Sequence, residues 1–451
     1  MTDVGHHQSS LANASEPSRD GGAPSAGRLP ETLRPYFELP GAVKLLCLGS
    51  FINRAGAFTL MFLTIYASEQ LGFGLTFATN CLGAFGVGSI VSSLAGGHLA
   101  DTFGRKPVML FALFGSAVVL LLLGQVQNRW LFLGLVLLFS LVTEMYRPAA
   151  SAMVGDLAAV SERPHAFALM YISFNLGFAV AAPVGGFLAQ YSFQWLFAGD
   201  ALTTAVYGLI ILFRIQETLK AVTEHRQPGL WQANGDASSI ASAEPTRQME
   251  QKNQRVPWSD AIRQIVRDRT FMLFCLATVL TSAVFMQAFS TLPIHLSQLG
   301  FSKGQIGWLM STNGVLIVLC QIPVTHLLQR FDRVIVIIAG ELLLALGFGL
   351  TTFAFSALMV FTTIVIWTLG EVVQAAFKQS MVADLAPSEL RGRYMGVFGL
   401  CHAIGTTIGA PLGGYVLESG GPQILWPGCF VIVLLAGAVY AVIYRSSVRA
   451  G

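Results

Sequence analysis

Charge is what this chain has least of. Asp, Glu, Lys and Arg together make up 11% of its 451 residues, against about a quarter in soluble globular chains. With 54% of residues hydrophobic, lipid rather than water is the expected solvent. The formal net charge is +3, too small for the basic footprint of a nucleic-acid binder. Paired cysteines are absent as well. Cys47, Cys81, Cys275, Cys320, Cys401 and Cys429 stand singly in apolar stretches, with no CxxC and no Cys/His spacing. That pattern offers neither a disulfide framework nor a metal site and suits small buried hydrophobes. No HExxH, nucleophile elbow or phosphate-binding glycine loop occurs, which argues against an enzyme and excludes ATP-driven pumping by this chain.

What the chain does have is long apolar runs. A helix needs about 20 apolar residues to cross about 30 Å of hydrocarbon. Such runs fall near 41–68, 75–98, 107–127, 130–157, 166–190 and 194–213, and again near 271–298, 304–328, 334–354, 357–383, 394–417 and 424–444. Twelve transmembrane helices are therefore expected in an all-α membrane protein. Residues 1–40, rich in Ser, Gly, Pro and Ala without an apolar run, read as a disordered tail with no signal-peptide pattern. Residues 41–215 and 270–445 would be two six-helix bundles, joined by a polar linker over 216–269. The end of that linker, from Trp258 to Arg269, reads as an amphipathic surface helix with Ile262 and Ile265 towards lipid, or as a solvated loop.

Basic residues of the connections fall on one side if the spans alternate. Arg105, Lys106, Arg163, the linker, Arg330, Arg333, Arg391, Arg393, Arg445 and Arg449 lie there, while the other side offers Arg129 and Lys303. The positive-inside rule then puts both termini in the cytoplasm, and the short loops suit a bacterial inner membrane.

The second half repeats the first at a constant offset of 228 positions (71 to 299). Leu71-Gly72-Phe73 falls on Leu299-Gly300-Phe301, His98-Leu99 on His326-Leu327 and Arg105 on Arg333. Met153-Val154-Gly155-Asp156-Leu157-Ala158 falls on Met381-Val382-Ala383-Asp384-Leu385-Ala386, and Ala182-Pro183-Val184-Gly185-Gly186 on Ala410-Pro411-Leu412-Gly413-Gly414. Internal repeats of this kind place a substrate site at their interface near the midplane.

Between the second and third runs stands Gly97-His98-Leu99-Ala100-Asp101-Thr102-Phe103-Gly104-Arg105-Lys106. This resembles the signature loop of the major facilitator superfamily. The resemblance implies two pseudo-symmetric six-helix bundles and secondary transport by alternating access. It also implies a conformational gate of Gly97, Asp101, Gly104, Arg105 and Lys106, joined by Asp156, that locks the outward-facing state. Asn175 to Gly186 looks like the Gly/Pro-rich helix of the drug and metabolite antiporters of that family. It departs from their pattern with Ala181-Ala182-Pro183, repeated as Gly409-Ala410-Pro411.

A charge at a helix centre costs about 2.5–3.5 kcal/mol on insertion scales, so mid-span charges are functional candidates. Arg54 lies on the first span, Glu144 and Arg147 on the fourth, and Glu371 with Lys378 on the tenth; Glu341, on the ninth, is less central. Glu144 and Arg147 have pairing distance along one helix side, and Glu371, Gln374 and Lys378 form one stripe. In the resembled fold the first, fourth, seventh and tenth helices line the cavity. Arg54, Glu144, Arg147, Gln287, Gln374, Glu371 and Lys378 would then surround one aqueous site. The bland alternative is that the charges only pair with one another and fix packing.

Arginine stays charged at physiological pH, leaving the two glutamates, and His402, to exchange protons. Burial disfavours a charged acid and a nearby arginine favours it. A substrate that competes for the arginine thus changes the acid's hold on its proton. Glu371, with no basic residue within a turn, is expected to be the main proton carrier and Glu144 the second. Phe58, Tyr146, Phe285, Phe289, Trp308 and Trp367 are candidates for a greasy wall or for plain packing. The expected ligand is a small molecule, drug-like or amphiphilic if exported, anionic or zwitterionic if taken up. An arginine on the first helix with an acid on the tenth also resembles the oligopeptide transporters, whose Glu-x-x-Glu-Arg is here broken by Ser50 and Asn53. The expected driving force is the proton gradient, with no cofactor and no nucleic acid, and the expected functional unit is a monomer in the lipid bilayer.

Overall fold

The computed structural model describes residues 34–159, 161–218, 258–387 and 390–450. Most of the tail and of the linker lies outside these, as do Lys220, Arg226, Arg247, Lys252 and Arg255; Arg34–Glu38, inside the expected tail, is a short helix. Twelve helices long and apolar enough to span a membrane follow: Gly41–Gln70, Leu75–Phe103, Arg105–Leu123, Arg129–Leu157, Arg163–Tyr191 and Phe193–Arg214, then Arg269–Gln298, Lys303–Leu328, Arg333–Phe353, Ala357–Leu385, Arg391–Gly420 and Pro422–Tyr444. They are numbered spans 1–12.

Local chemistry sets their ends. Asn128 accepts from the amides of Trp130 and Leu131 at 3.0 and 3.1 Å to start span 4. Asp268 and Asp332 do the same for spans 7 and 9, as N-cap acceptors for donors that have no partner inside the helix. Span 2 stops at Gly104, whose φ of +108° lies in a region open to glycine and rare for other residues.

The duplication is visible in the packing. Spans 1 and 5, 2 and 4, 3 and 6, 3 and 4, and 1 and 6 pack together, and so do their counterparts 7 and 11, 8 and 10, 9 and 12, 9 and 10, and 7 and 12. Between the halves, span 5 packs on span 8, span 2 on span 11, and the latter part of span 1 on span 7.

The apolar core is not shared evenly along the spans. At the end that carries the basic loops each half has its own cluster, around Leu46, Met109 and Tyr207 in one and Phe271, Val382 and Tyr440 in the other. At the opposite end a single cluster runs through both halves, from Phe58, Ile65 and Phe132 to Leu292, Ile306, Phe348 and Trp426.

The helix before span 7, Trp258–Arg267, corrects one expectation. Ile262 is exposed, but Ile265 is buried with Ala261 in the second half's cluster. Residues 261 and 265, four apart, share the face that enters that cluster, and 262, the next position round from 261, points away from it.

Candidate functional site

Span 1 is broken. Its first helix, Gly41–Ala55, carries Arg54 in its last turn, and Thr59–Ile65 begins after Gly56 and Phe58. The break puts the Arg54 guanidinium 4.2 Å from the centre of the Phe174 ring on span 5. Arg147, from span 4, lies over the same ring at 5.5 Å. Glu144 holds Arg147 at 3.6 Å, so the pairing expected from their spacing is present. It is loose, because span 4 is itself interrupted between Thr143 and Tyr146. Arg147 keeps 59% of its side chain exposed and is near enough to interact electrostatically with Arg54 and with His402 of the other half.

A charge that sequence reasoning passed over completes this corner. Asp200 of span 6 is buried, 5% exposed, and accepts a hydrogen bond from the Thr59 amide at 3.2 Å. Phe58 offers no side-chain cap there, so Asp200 caps the second helix of span 1 from a neighbouring span. Asn53 donates to Thr204 at 2.9 Å beside it. The signal was available, since Asp200 is an acid inside an apolar run like the others.

In the second half, Glu371 accepts a hydrogen bond from the amide of Asn313, on span 8, at 2.8 Å. Asn313 also reaches Thr368. Tyr171 of span 5, three positions before Phe174, lies within electrostatic reach of Glu371. Span 5 is thus the element between the cations of the first half and the acid of the second. One turn further on, Phe178 meets Phe289 of span 7 with ring centres 5.7 Å apart, and Phe289 meets Phe285. An aromatic layer closes the site on the side away from the basic loops.

Three expected members of the ring stand elsewhere. Lys378 is bound to Glu341 of span 9 at 2.6 Å, inside the second half. Thr281 donates to the same carboxylate oxygen at 2.9 Å and Tyr440 lies beside the ammonium. Glu341, only 1% exposed, is the partner that its off-centre position concealed. Gln374, also buried, faces Gly340 on span 9. Gln287 donates to the carbonyls of Ala283 and Gly409 at 2.9 and 2.7 Å and accepts from Ser290 and Thr291. Its amide is consumed where span 7 breaks against span 11. A stripe on one helix does not fix one neighbour, because a helix face several turns long crosses more than one partner.

The aromatic candidates also divide. Phe58 and Trp367 are core residues, Trp308 is 70% exposed, and Tyr146 bonds Tyr207 at 2.6 Å. His402 is hydrogen-bonded to Ser282 at 2.7 Å.

At the basic end Arg105 binds Asp101 at 3.3 Å and Asp156 at 3.0 Å. Arg333 and Asp384, the positions 228 further on, form the matching ion pair. Glu217, after span 6, accepts from the amides of Arg105 and Lys106 at 3.1 and 2.9 Å and fixes the start of span 3; nothing in its local sequence announces this.

Three broken helices, buried charges on facing halves and a twofold internal repeat define a membrane transporter. The Major Facilitator Superfamily family model matches residues 46–304 and 288–449, and the chain belongs to that family. It is 26% identical over 419 residues to a Na(+), Li(+), K(+)/H(+) antiporter of Planococcus maritimus, covering 86% of this chain and 92% of the relative. It is 23% identical to the multidrug resistance protein MdtH of Photorhabdus laumondii, covering 85% and 87%. Among solved structures, a POT family transporter in complex with 5-aminolevulinic acid superposes with a TM-score of 0.71 at 16% identity over 90% of this chain and 96% of that one. The nucleoside transporter NupG gives 0.71 at 15% over 90% and 100%. These two likenesses concern the fold.

Proposed function

We propose that this transporter exports a drug-like or amphiphilic small molecule in exchange for protons, with Glu371 as the main proton carrier and Glu144 the second. The observation that carries the reading is Glu371 itself: a mid-span carboxyl facing the other half, held by a neutral amide, with no ion-pair partner among the described residues. A carboxyl in that setting can take and release a proton without breaking a salt bridge. Glu144 differs in being paired with Arg147. The Phe174, Phe178, Phe285 and Phe289 rings supply an apolar surface beside the charges. Relatives named as an antiporter of monovalent cations and protons and as a multidrug resistance protein support exchange and export.

The same reading assigns the basic end and both termini to the cytoplasm of a bacterial inner membrane. The end closed by the shared core is then the outer one, and the conformation is inward-facing. Gly97 on span 2 and Gly392, Gly396 and Gly399 on span 11 have open space before them. In the outward-facing state those surfaces would meet, with the Asp101, Arg105 and Asp156 cluster holding the loop from Gly97 through Gly104 to Lys106 as the lock.

A second reading, proton symport of an anionic or zwitterionic solute, is favoured by the two arginines that share one aromatic ring. Reconstituted vesicles with an imposed pH gradient separate the two, because substrate and protons move oppositely in one and together in the other. In that assay Glu371→Gln is expected to abolish gradient-driven transport while facilitated movement of the substrate down its own gradient survives. Undiminished driven transport by Glu371→Gln would overturn the assignment.

A further inference from the structure

The two halves meet at the end away from the basic loops through two junctions that the internal repeat makes equivalent. In one, Gln190 at the end of span 5 reaches Ser302 at the start of span 8, at 3.5 Å. In the other, Glu418 at the end of span 11 reaches Thr76 at the start of span 2. Position 418 is 190 displaced by the repeat offset of 228, and Ser302 likewise corresponds to Gly74.

The junctions are equivalent in place and opposite in chemistry. Span 8 is capped from within: Ser302 accepts from the Gln305 amide and the Gln305 side chain accepts from the Ser302 amide, a complete capping box. Gln190 adds little to it. Span 2 has no such cap. Its N-cap position is Gly74, with φ 85° and ψ 161°, a region essentially closed to residues with a Cβ. No side chain can be placed there to do what Ser302 does. The Glu418 carboxylate does it from the other half instead, accepting from the Thr76 amide at 3.0 Å and from the Thr76 hydroxyl with the same oxygen. Thr76 is the second residue of the helix, whose N–H is one that an N-cap side chain serves, and the carboxylate also suits the positive end of the helix dipole. Arg129 lines the same cavity of about 250 Å³ as Thr76 and Glu418.

We propose that Glu418 is the latch of the outer gate: it caps span 2 in trans, and this cap exists only while the halves are closed at that end. When spans 2 and 11 separate, the Thr76 amide loses its acceptor and the helix start has no residue of its own to replace it. Opening the 5/8 junction carries no such penalty, because the Ser302 box goes with span 8. The closed outer gate is therefore held asymmetrically, more by span 11 on span 2 than by span 5 on span 8. The inference rests on alternating access but not on which ion drives it.

Spin labels at Gln127→Cys and Ser356→Cys, exposed residues of the two halves at this end, would report the gate in the full-length protein, its six native cysteines replaced, in lipid nanodiscs. Removing an N-cap changes an equilibrium by about two- to thirtyfold. Glu418→Ala is expected to raise the ratio of long to short label distances within that range, and Gln190→Ala to leave it near the wild-type ratio. Thr76→Val, which keeps the amide but removes the hydroxyl, is expected to give a smaller rise, and stands in if Glu418→Ala is not monodisperse. A ratio unchanged in the Glu418 and Thr76 variants, or raised equally by Gln190→Ala, overturns the latch. Because the labels read opening and not flux, a failure of proton coupling in vesicles leaves this result standing, and the reverse holds too.

Discussion

The mid-span charges are defined by what each has been given to bind. Arg54 is turned onto an aromatic face, Glu371 onto a neutral amide, and Lys378 onto Glu341. The last is the arrangement expected of a structural pair. Removing one partner of a buried pair leaves an uncompensated charge and costs about 3–5 kcal/mol, whereas replacing both by apolar groups is often neutral. Lys378→Met is therefore expected to lower the thermal unfolding midpoint in detergent strongly, and Lys378→Met with Glu341→Leu to recover most of it and keep gradient-driven transport. A double variant that is stable but uncoupled would show that the pair moves protons after all. Sequence inspection made Arg54, Glu144, Arg147 and Glu371 candidates because a lone mid-span charge needs a reason. It missed Asp200 and ranked Glu341 low, since a charge's position along a helix does not reveal which neighbour accepts it.

At the level of elements, one device recurs: a helix starts without its own side-chain cap, and a neighbouring span supplies it. Asp200 caps the second part of span 1 and Glu418 caps span 2. A helix that borrows its cap is tied to the lender, so rearranging the two changes the helix end as well as the contact. Helix crossings between the halves depend on small residues for a different reason. A Cβ on Gly314 of span 8 would lie 3.0 Å from both Cα and Cβ of Ala179 on span 5, closer than ordinary van der Waals contact. Gly314→Val adds that Cβ and two methyl groups beyond it, and overpacking of this kind costs about 1–3 kcal/mol. Closure of the end away from the basic loops should be lost, read as longer distances between the same spin labels and as reduced transport. The run lengths and the repeat gave the span positions to within a few residues. The breaks at Gly56, Glu144 and Met286 were not legible, because an apolar run looks the same whether its helix is continuous or interrupted.

For the whole molecule, the division of the core is the informative feature: one cluster joins the halves at the end away from the basic loops and two separate clusters stand at the other. Opening the joined end must divide that cluster, and the opposite state needs a new interface where Gly97, Gly392, Gly396 and Gly399 now face open space. Gly399→Val is thus expected to leave the thermal stability of the inward-facing protein unchanged while blocking transport, measured as flux in vesicles beside an unfolding curve. A variant that lowers both equally would mean that position 399 is already packed.

By itself the amino-acid sequence determined the solvent, the number of spans, the duplication and the basic side, because each depends on hydropathy, length and charge counted along one chain. The signature loop was legible as a resemblance, and it was the resemblance that implied the cluster of Asp101, Arg105 and Asp156. Only the tertiary structure decided which charges share a site, which helix borrows a cap from which, and which end of the molecule is closed. Those are matters of neighbours, and a helix with apolar residues on every side can present any of its faces to several partners.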